Sequence, residues 1–330
     1  MGVSVSVIIP MYNVAPFVER CARQLFEQTL EDVELIFIDD CSPDNSASIV
    51  ANLLESYPHR KEQVQIVRHE VNKGLPSARN TGLKIANGEF IFHCDGDDWL
   101  ETNALELLFY HAKAENADIV WCDYYLTFKG NERYMSQRAS QANNDPRYIL
   151  EQMLSGKLKY NVWNKLVKRD LYLANNITFP DGYGMGEDMT MIQLFAVAQR
   201  VSYLPEALYH YVQLNTEAFT KKPSPKHLDD IRHNVSSLIH FLKNRYADQL
   251  DVFIHFFKLN TKLPFLITSD QSSYERWLSF YPESNAYIDE NPTFNFRTRL
   301  IQKAALKRQF WLIKLYNYFI IKVVYGLIYK

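Results

Sequence analysis

Two sets of carboxylates stand where an apolar run ends. Asp39 and Asp40 close the run from Val33 to Ile38, and Asp95-Gly96-Asp97-Asp98 closes the run from Phe90 to Cys94. Carboxylates at i and i+2, on a loop just off a strand, can face one cavity. Mg2+ or Mn2+ takes oxygen ligands of this kind and shares its coordination with substrate phosphates. Such a cation neutralises the charge that develops on a diphosphate leaving group. The plainer reading of the same residues is an acidic turn with Gly96 at positive φ. A carboxylate at Asp39-Asp40 could accept the N3–H of uracil, or it could cap the following helix. A phosphatase-type nucleophile also sits after a hydrophobic strand, but no matching Lys and second acidic site follow in the required order.

A third acidic pair, Glu187-Asp188, follows Gly182-Tyr183-Gly184-Met185-Gly186 and enters the apolar run Met189 to Val197. Glycines make a mobile loop, and a carboxylate so placed can deprotonate an incoming hydroxyl. It can also simply favour the positive end of the helix dipole. Between these clusters lies Asn72-Lys73-Gly74-Leu75-Pro76-Ser77-Ala78-Arg79-Asn80, a glycine turn, a helix start and a cation. Helix starts and Arg both suit phosphate, although Arg79 could equally be a structural ion-pair partner. Pro10-Met11-Tyr12-Asn13 ends the first apolar run, where Tyr12 could stack on a base or serve only in packing.

These residues require elements to hold them. Strand-like runs at Val3 to Ile9, Val33 to Ile38, Val64 to Val67, Phe90 to Cys94 and Ile119 to Cys122 alternate with helical patterns. The helices are read at Val14 to Gln28, Ser46 to Tyr57, Pro76 to Ala86 and Asn103 to Asn116. This alternation predicts βαβ units and a largely parallel α/β sheet, whose ligands sit at the carboxyl ends of the strands. Lys129 to Pro146 reads as a polar loop. Asn161 to Leu173 reads as a strand-loop segment and Gly182 to Ala198 as a helix. Helical patterns dominate from about Lys221, so the expected division is 1–220 and 221–330.

Of the 330 residues, 47% are hydrophobic, enough for a sizeable core, and the formal net charge of −2 excludes a surface built throughout for nucleic acid. Cys21, Cys41, Cys94 and Cys122 show no C-x-x-C spacing, which argues against a zinc site and for buried thiols in a reducing compartment. No signal peptide is read ahead of Val3; Met1-Gly2 formally fits a myristoylation pattern, but Gly2 runs straight into a strand.

Taken together the motifs resemble those of the bacterial family 2 glycosyltransferases, over about residues 3 to 215. Ser6 to Asn13 is similar to the family's opening strand, and Ile38-Asp39-Asp40-Cys41-Ser42-Pro43-Asp44 to its DDxSxD segment. Asn72-Lys73-Gly74 with Ala78-Arg79-Asn80-Thr81-Gly82 is similar to its NxGxxxARNxG segment. Asp95-Gly96-Asp97 fits its D-x-D motif, and Glu187-Asp188 its ED motif. Cys41 stands where the family often has Gly.

The resemblance implies a GT-A fold, a Rossmann-like mixed, mostly parallel sheet flanked by helices, with a helical C-terminal extension. It implies an inverting transfer from a UDP-sugar, dependent on Mn2+ or Mg2+, to a glycan or lipid-linked acceptor in surface polysaccharide synthesis. Donor contacts would come from Pro10, Tyr12, Asn13, Asp39, Asp40, Gly74, Arg79, Asp95 and Gly96. Asp95 and Asp97 would hold the metal, with Arg79 helping to stabilise the departing diphosphate. Asp188 would be the base with Glu187 beside it, and Trp163 and Lys165 would line the acceptor side. A sugar-nucleotide pyrophosphorylase is the competing enzyme, but it would carry a glycine-rich basic loop where Pro10-Met11-Tyr12-Asn13 stands. An inactive membrane-associated binding protein is the other alternative.

Residues 297–330 hold eight Lys or Arg, and no Asp or Glu follows Glu290. With Trp311, Tyr318, Tyr325 and other aromatics, the tail predicts a basic amphipathic helix lying on an anionic membrane surface. A spanning helix is disfavoured by Lys314 and Lys322; packing onto the rest of the protein is the remaining possibility. The expected setting is cytoplasmic, on the inner face of the membrane, with no nucleic-acid partner and a possible homo-oligomer.

Overall fold

The computed structural model describes residues 2–139, 144–215, 225–268 and 270–319. Strands β1 (Val5–Met11), β2 (Val33–Asp39), β3 (Val64–Arg68) and β4 (Phe90–His93) alternate with helices α1 (Ala15–Phe26), α2 (Ser46–Leu54) and α3 (Leu75–Ile85). There follow β5 (Trp99–Leu100), α4 (Ala104–Glu115), β6 (Ile119–Phe128), β7 (Asn131–Met135), α5 (Pro146–Ser155), β8 (Lys165–Lys168), α6 (Arg169–Ala174), α7 (Thr190–Val197) and β9 (Val201–Val212). The chain continues as α8 (Pro225–Tyr246), α9 (Asp251–Lys262), α10 (Gln271–Ser279), α11 (Phe296–Leu306) and α12 (Phe310–Phe319).

The strands form one sheet in the order β3-β2-β1-β4-β8-β6-β9-β5, with β7 paired to β6. β3, β2, β1 and β4 are mutually parallel, as are β6 and β9; β8 joins the two groups by antiparallel pairing on both sides. Every residue of β1 and β2 is buried. That is why they read as continuous apolar runs rather than alternating ones, as expected of a parallel sheet covered on both faces. α1 buries Val18, Cys21, Ala22, Leu25 and Phe26, a stripe at helical spacing. Because β2 and β4 both run parallel to β1, the loops after all three leave the same edge of the sheet. That edge carries Tyr12, Asp39-Asp40 and Asp95 to Asp98.

Besides the two-residue β5, two longer strands depart from the sequence reading. β7 lies in the stretch read as a loop and forms a hairpin with β6 across Gly130, at φ +86°. Its first four residues are exposed, so no apolar pattern announces it. β9 is a twelve-residue strand beside β6, with a register shift around Asp123, and it carries Pro205-Glu206 in its middle. A proline and a charged residue in mid-strand hide the periodicity that would otherwise mark it.

The chain falls into two compact units, Met1–Leu150 with Tyr160–Phe241, and Glu151–Lys159 with Leu242–Lys330. The first differs from the expected 1–220 because it keeps most of α8 and lacks 151–159; helical periodicity does not reveal which body a helix packs against. The second unit has its own core of Leu259, Tyr274, Trp277, Ala305, Phe310 and Ile313, among others. Within it the fully buried Lys262 donates to Phe280 O at 2.9 Å and Asn285 Oδ1 at 2.6 Å, and lies 4.2 Å from the Trp277 ring centre. Burial lowers its pKa to about 8.

Candidate active site

The loop after β4 is tied down at both ends. A Cβ on Gly96 would stand 3.0 Å from the Pro10 carbonyl oxygen and 3.2 Å from Val14 Cγ2, so a side chain there would crowd the end of β1 and push the loop or its neighbours aside by a few tenths of an ångström. Asp98 is buried. Its Oδ1 accepts the Val212 N–H at 2.7 Å and its Oδ2 accepts the Tyr209 hydroxyl at 2.7 Å. The Tyr209 oxygen in turn accepts the Asp95 N–H at 3.1 Å. Burial, reinforced by the charges of Asp97 and Asp95, pushes the Asp98 pKa well above the usual carboxylate range. Asp98 therefore anchors the loop to β9. Asp97 Oδ2 accepts the Asn215 amide at 2.7 Å, and Asp95 Oδ1 accepts from Arg79 Nη2 at 3.0 Å.

Asp95 and Asp97 suit a hard divalent cation in their donor chemistry. No group of three or more His, Cys, Asp or Glu gathers as a metal cage among the described residues. Asp95 and Asp97 could supply two oxygen ligands, and Mg2+ or Mn2+ commonly shares such carboxylates with substrate phosphates.

Arg79, from α3, sits between two acidic clusters that are far apart in sequence. It is 1% exposed, 3.0 Å from Asp95 and 4.0 Å from Glu187 Oε1, with its guanidinium 5.6 Å from the Phe179 ring centre. Its Nε and Nη1 meet no acceptor among the described residues. Glu187 and Asp188 open a short 3₁₀ turn, Glu187–Met189, that leads into α7, and Asp188 Oδ1 accepts the Val162 N–H at 3.1 Å. Burial, with the neighbouring Asp188 charge, raises the Glu187 pKa to about 8. Burial raises Asp188 to about 6, opposed by Arg79. Two carboxylates whose environments separate their proton affinities make a natural acid–base pair.

The edge formed by β1 and β2 is a woven turn. Asn13, at φ +56°, donates its N–H to Ser42 Oγ at 2.8 Å, and Asp44 Oδ2 accepts the Ala15 N–H at 2.8 Å. Asp39 Oδ1 accepts the Ser42 N–H at 2.7 Å, while its Oδ2 lies 3.4 Å from Arg68 Nε. Asp40 accepts the N–H groups of Lys73 and Gly74 at 2.8 and 2.7 Å and meets His69 Nδ1 at 2.7 Å. Gly74, at φ +87°, supplies the left-handed turn that brings these amides in. Tyr12 projects beyond this edge and is half exposed.

The geometry shows what several of the expected site residues touch. Asp40 was expected among the donor contacts; in the structure its carboxylate meets Lys73 N–H, Gly74 N–H and His69 Nδ1, which fix the loop before α3. Arg79 was expected at the diphosphate; it is buried and faces Asp95. Trp163 and Lys165 were expected to line the acceptor side, yet they are 5% and 1% exposed. Trp163 stacks on Tyr209 at 4.5 Å between ring centres. Lys165 Nζ donates to Asn161 O and Asn164 Oδ1, both at 2.7 Å, and burial lowers its pKa to about 7. Tyr209 and Asn215 escaped the sequence reading because they lie on and just after β9, the strand that Pro205 conceals.

Comparison with known proteins agrees with this geometry. The description "Glycosyl transferase family 2" matches residues 6–173, more than half of the chain. Among relatives, the chain is 34% identical over 235 residues to the uncharacterized glycosyltransferase EpsJ of Bacillus subtilis, covering 68% of this chain and 65% of that protein. It is 33% identical over 221 residues to the cholesterol galactosyltransferase of Borreliella burgdorferi, covering 62% of this chain and 59% of that one. The crystal structure of S. aureus TarS 1-349 with UDP-GlcNAc superposes with a TM-score of 0.72 at 19% identity, over 96% of this chain and 91% of that one, a likeness of fold. The chain therefore has the GT-A fold and belongs to glycosyl transferase family 2.

Proposed function

We propose that the chain is an inverting glycosyltransferase that moves a sugar from a UDP-sugar to a hydroxyl of a glycan or lipid-linked acceptor in surface polysaccharide synthesis. One observation carries the reading: Arg79 brings Asp95 and Glu187 within 3.0 and 4.0 Å of one buried guanidinium. The phosphate-side loop and the acidic pair thereby belong to one site. Asp39 accepts a base N–H, a role supported by its Oδ2 having, among the described residues, just the long 3.4 Å contact to Arg68, and the half-exposed Tyr12 ring stacks on the base. Pro10, Asn13, Gly74 and Gly96 shape the backbone of that pocket. Asp95 and Asp97 would hold Mn2+ or Mg2+, which when bound neutralises charge on the diphosphate. Arg79 keeps Asp95 in position and stabilises the ionised form of Asp188. Asp188 takes the proton from the acceptor hydroxyl, whose oxygen attacks the anomeric carbon as the C–O bond to the diphosphate breaks. One displacement inverts the anomeric centre. Glu187, protonated near neutral pH, keeps a second negative charge from Asp188.

UDP release with Mn2+ across a panel of UDP- and GDP-sugars tests this reading, with Asp97→Ala as control. Metal-dependent release from one UDP-sugar, lost in the variant, supports it; release from GDP-sugars alone, or equal release by the variant, overturns the donor and metal assignments.

We also infer peripheral attachment to an anionic membrane through the C-terminal helices. Arg308, at φ +54°, separates α11 from α12, so the described tail is two helices rather than one. The inner face of α12, Phe310, Ile313 and Asn317, is buried within its own unit, whereas Trp311, Leu315, Tyr318 and Phe319 are 65, 48, 55 and 53% exposed. Lys307 and Lys314 are exposed just before and on this helix, while Lys303 and Arg308 pair with Asp289 and Glu275; exposed aromatic and basic side chains together suit a headgroup layer. No helix among the described residues is long and apolar enough to cross a membrane. Lys322, Tyr325, Tyr329 and Lys330, which the sequence reading included, lie outside the described residues.

A further inference from the structure

The loop that delivers Glu187 and Asp188 is held by one face of α8. Gly182 and Gly186, at φ +80° and +90°, turn its two corners. Asp230, His233 and Asn234 lie at i, i+3 and i+4 and all reach it. Asn234 Nδ2 donates to the carbonyls of Tyr183 at 3.2 Å and Met185 at 2.7 Å, and Met185 N–H donates to Asp230 Oδ2 at 3.4 Å. Asn234 and Asp230 are 5% and 2% exposed, so this is a buried, preformed support. His233 stacks face to face on the Tyr183 ring at 3.6 Å, with 5° between the planes.

That stack differs from the other tight aromatic pairs around the site. Trp163 on Tyr209 is core; Tyr183 is 37% exposed and His233 is also exposed. A tyrosine fixed through its backbone carbonyl and through one ring face, yet open to solvent, is an ordered apolar surface with a polar tip. Its position four residues before Glu187 keeps it within about 14 Å of that carboxylate's backbone, the scale of a disaccharide. A flat ring of this kind matches the C–H face of a pyranose.

Resting on the transferase reading, we propose that Tyr183, backed by His233, is the platform on which the sugar ring of the acceptor stacks. Asn234 and Asp230 set the height of that platform relative to Glu187 and Asp188. The acceptor class is thereby narrowed to one that presents a pyranose next to the attacking hydroxyl.

The test is saturation-transfer NMR of the full chain with UDP and a panel of methyl pyranosides (gluco, galacto and N-acetylglucosamine), for wild type, Tyr183→Ala and Tyr183→Phe. Thermal unfolding of the same samples confirms that each variant is folded. Expected are signals from ring C–H protons in the wild type and in Tyr183→Phe, with affinity weakened about two- to tenfold in Tyr183→Ala, the range that one aromatic stack supplies. No pyranoside signal in the wild type, or equal affinity in folded Tyr183→Ala, would overturn the platform. Donor-sugar transfer to the bound pyranoside, read as UDP release with each sugar nucleotide, is measured alongside for the wild type. Tyr183-dependent binding with no transfer from any donor supports the sugar platform and counts against the transferase reading alone; transfer with Tyr183-independent binding does the reverse.

Discussion

Asn215 donates its side-chain amide to Asp97 Oδ2 at 2.7 Å, joining the segment after β9 to the loop after β4 across 118 positions of sequence. The bond occupies one carboxylate oxygen and orients the other. Partners of this kind typically govern metal affinity about 10–100-fold when removed. Asn215→Ala is therefore expected to raise the half-saturating Mn2+ concentration by about 10–100-fold, with Asp97→Ala more severe. Titration of UDP release against Mn2+ measures both. An unchanged Mn2+ dependence in Asn215→Ala would separate Asp97 from the metal.

Asp188→Asn should retain the donor and lose turnover by roughly 10² to 10⁴, the usual worth of a positioned base. A ligand that binds only the folded state raises its stability, so UDP should still raise the Tm of the variant. In the native enzyme Asp188 must be ionised, and burial holds its pKa at about 6. Turnover should rise with pH through about 6 and level off, the apparent value belonging to the coupled Glu187–Asp188 pair. A profile flat from pH 5 to 7 would remove Asp188 from the base role.

Glu187→Gln should be more stable than the native chain, and increasingly so as pH rises. Burial raises the folded-state pKa of Glu187 from 4.5 to about 8. Between those values the unfolded chain has lost a proton that the folded chain keeps, so rising pH favours unfolding. Below 4.5 both states are protonated and the penalty is absent. A neutral amide removes it throughout. The Tm difference between variant and native protein should grow from pH 5 to pH 8 by several degrees, since about 1 kcal/mol moves Tm by ~2–4 °C. A constant difference would place Glu187 in a solvated environment.

The parts of the site legible in the sequence share one physical cause. β1, β2 and β4 are buried on both faces, so their apolar runs are unbroken, and the abrupt change to Asp39-Asp40 or Asp95 to Asp98 marks the strand ends. Glycines at 74 and 186 were legible for a similar reason, since their backbones take left-handed turns that few other residues tolerate. The supports were not legible. Tyr209 looks like any core aromatic until its hydroxyl is seen bridging Asp95 and Asp98. Asn215 and Asn234 carry no spacing signal because their partners are more than 45 positions away. The supporting contacts of Asp40 and Arg79 were not legible either, because a carboxylate that accepts backbone amides, and an arginine that holds an aspartate, have the same sequence signature as ligands.

The exposed face of α12 gives a membrane prediction. Vesicles containing phosphatidylserine should sediment with the protein, and phosphatidylcholine vesicles should not. Each basic residue near an anionic surface contributes about 1 kcal/mol, so Lys307→Gln should weaken binding about fivefold. Trp311→Ala combined with Tyr318→Ala should weaken it further and leave the salt dependence intact, because those side chains act through buried apolar area. Equal sedimentation with both lipids would refute the electrostatic part, and an unaffected aromatic variant would refute the apolar part.

Cys41 adopts φ +55°, in the turn between the Asp39-Asp40 pair and Ser42. A side chain there crowds the following carbonyl at a cost of roughly 1–2 kcal/mol, which Gly does not incur. Glycine also makes the unfolded chain more flexible, offsetting part of that gain. Cys41→Gly should thus be neutral or stabilising by up to about 1 kcal/mol, losing the weak 3.6 Å contact of the thiol to Glu70 O. Cys41→Val, β-branched at positive φ, should cost more than about 1 kcal/mol. It should also disturb the Asn13–Ser42 and Asp39–Ser42 bonds that shape the nucleotide edge. Denaturant unfolding gives the stability order and UDP titration the binding order. Both should run Gly at or above Cys, then Val, and a valine variant equal to native in both would mean that this turn holds no strain.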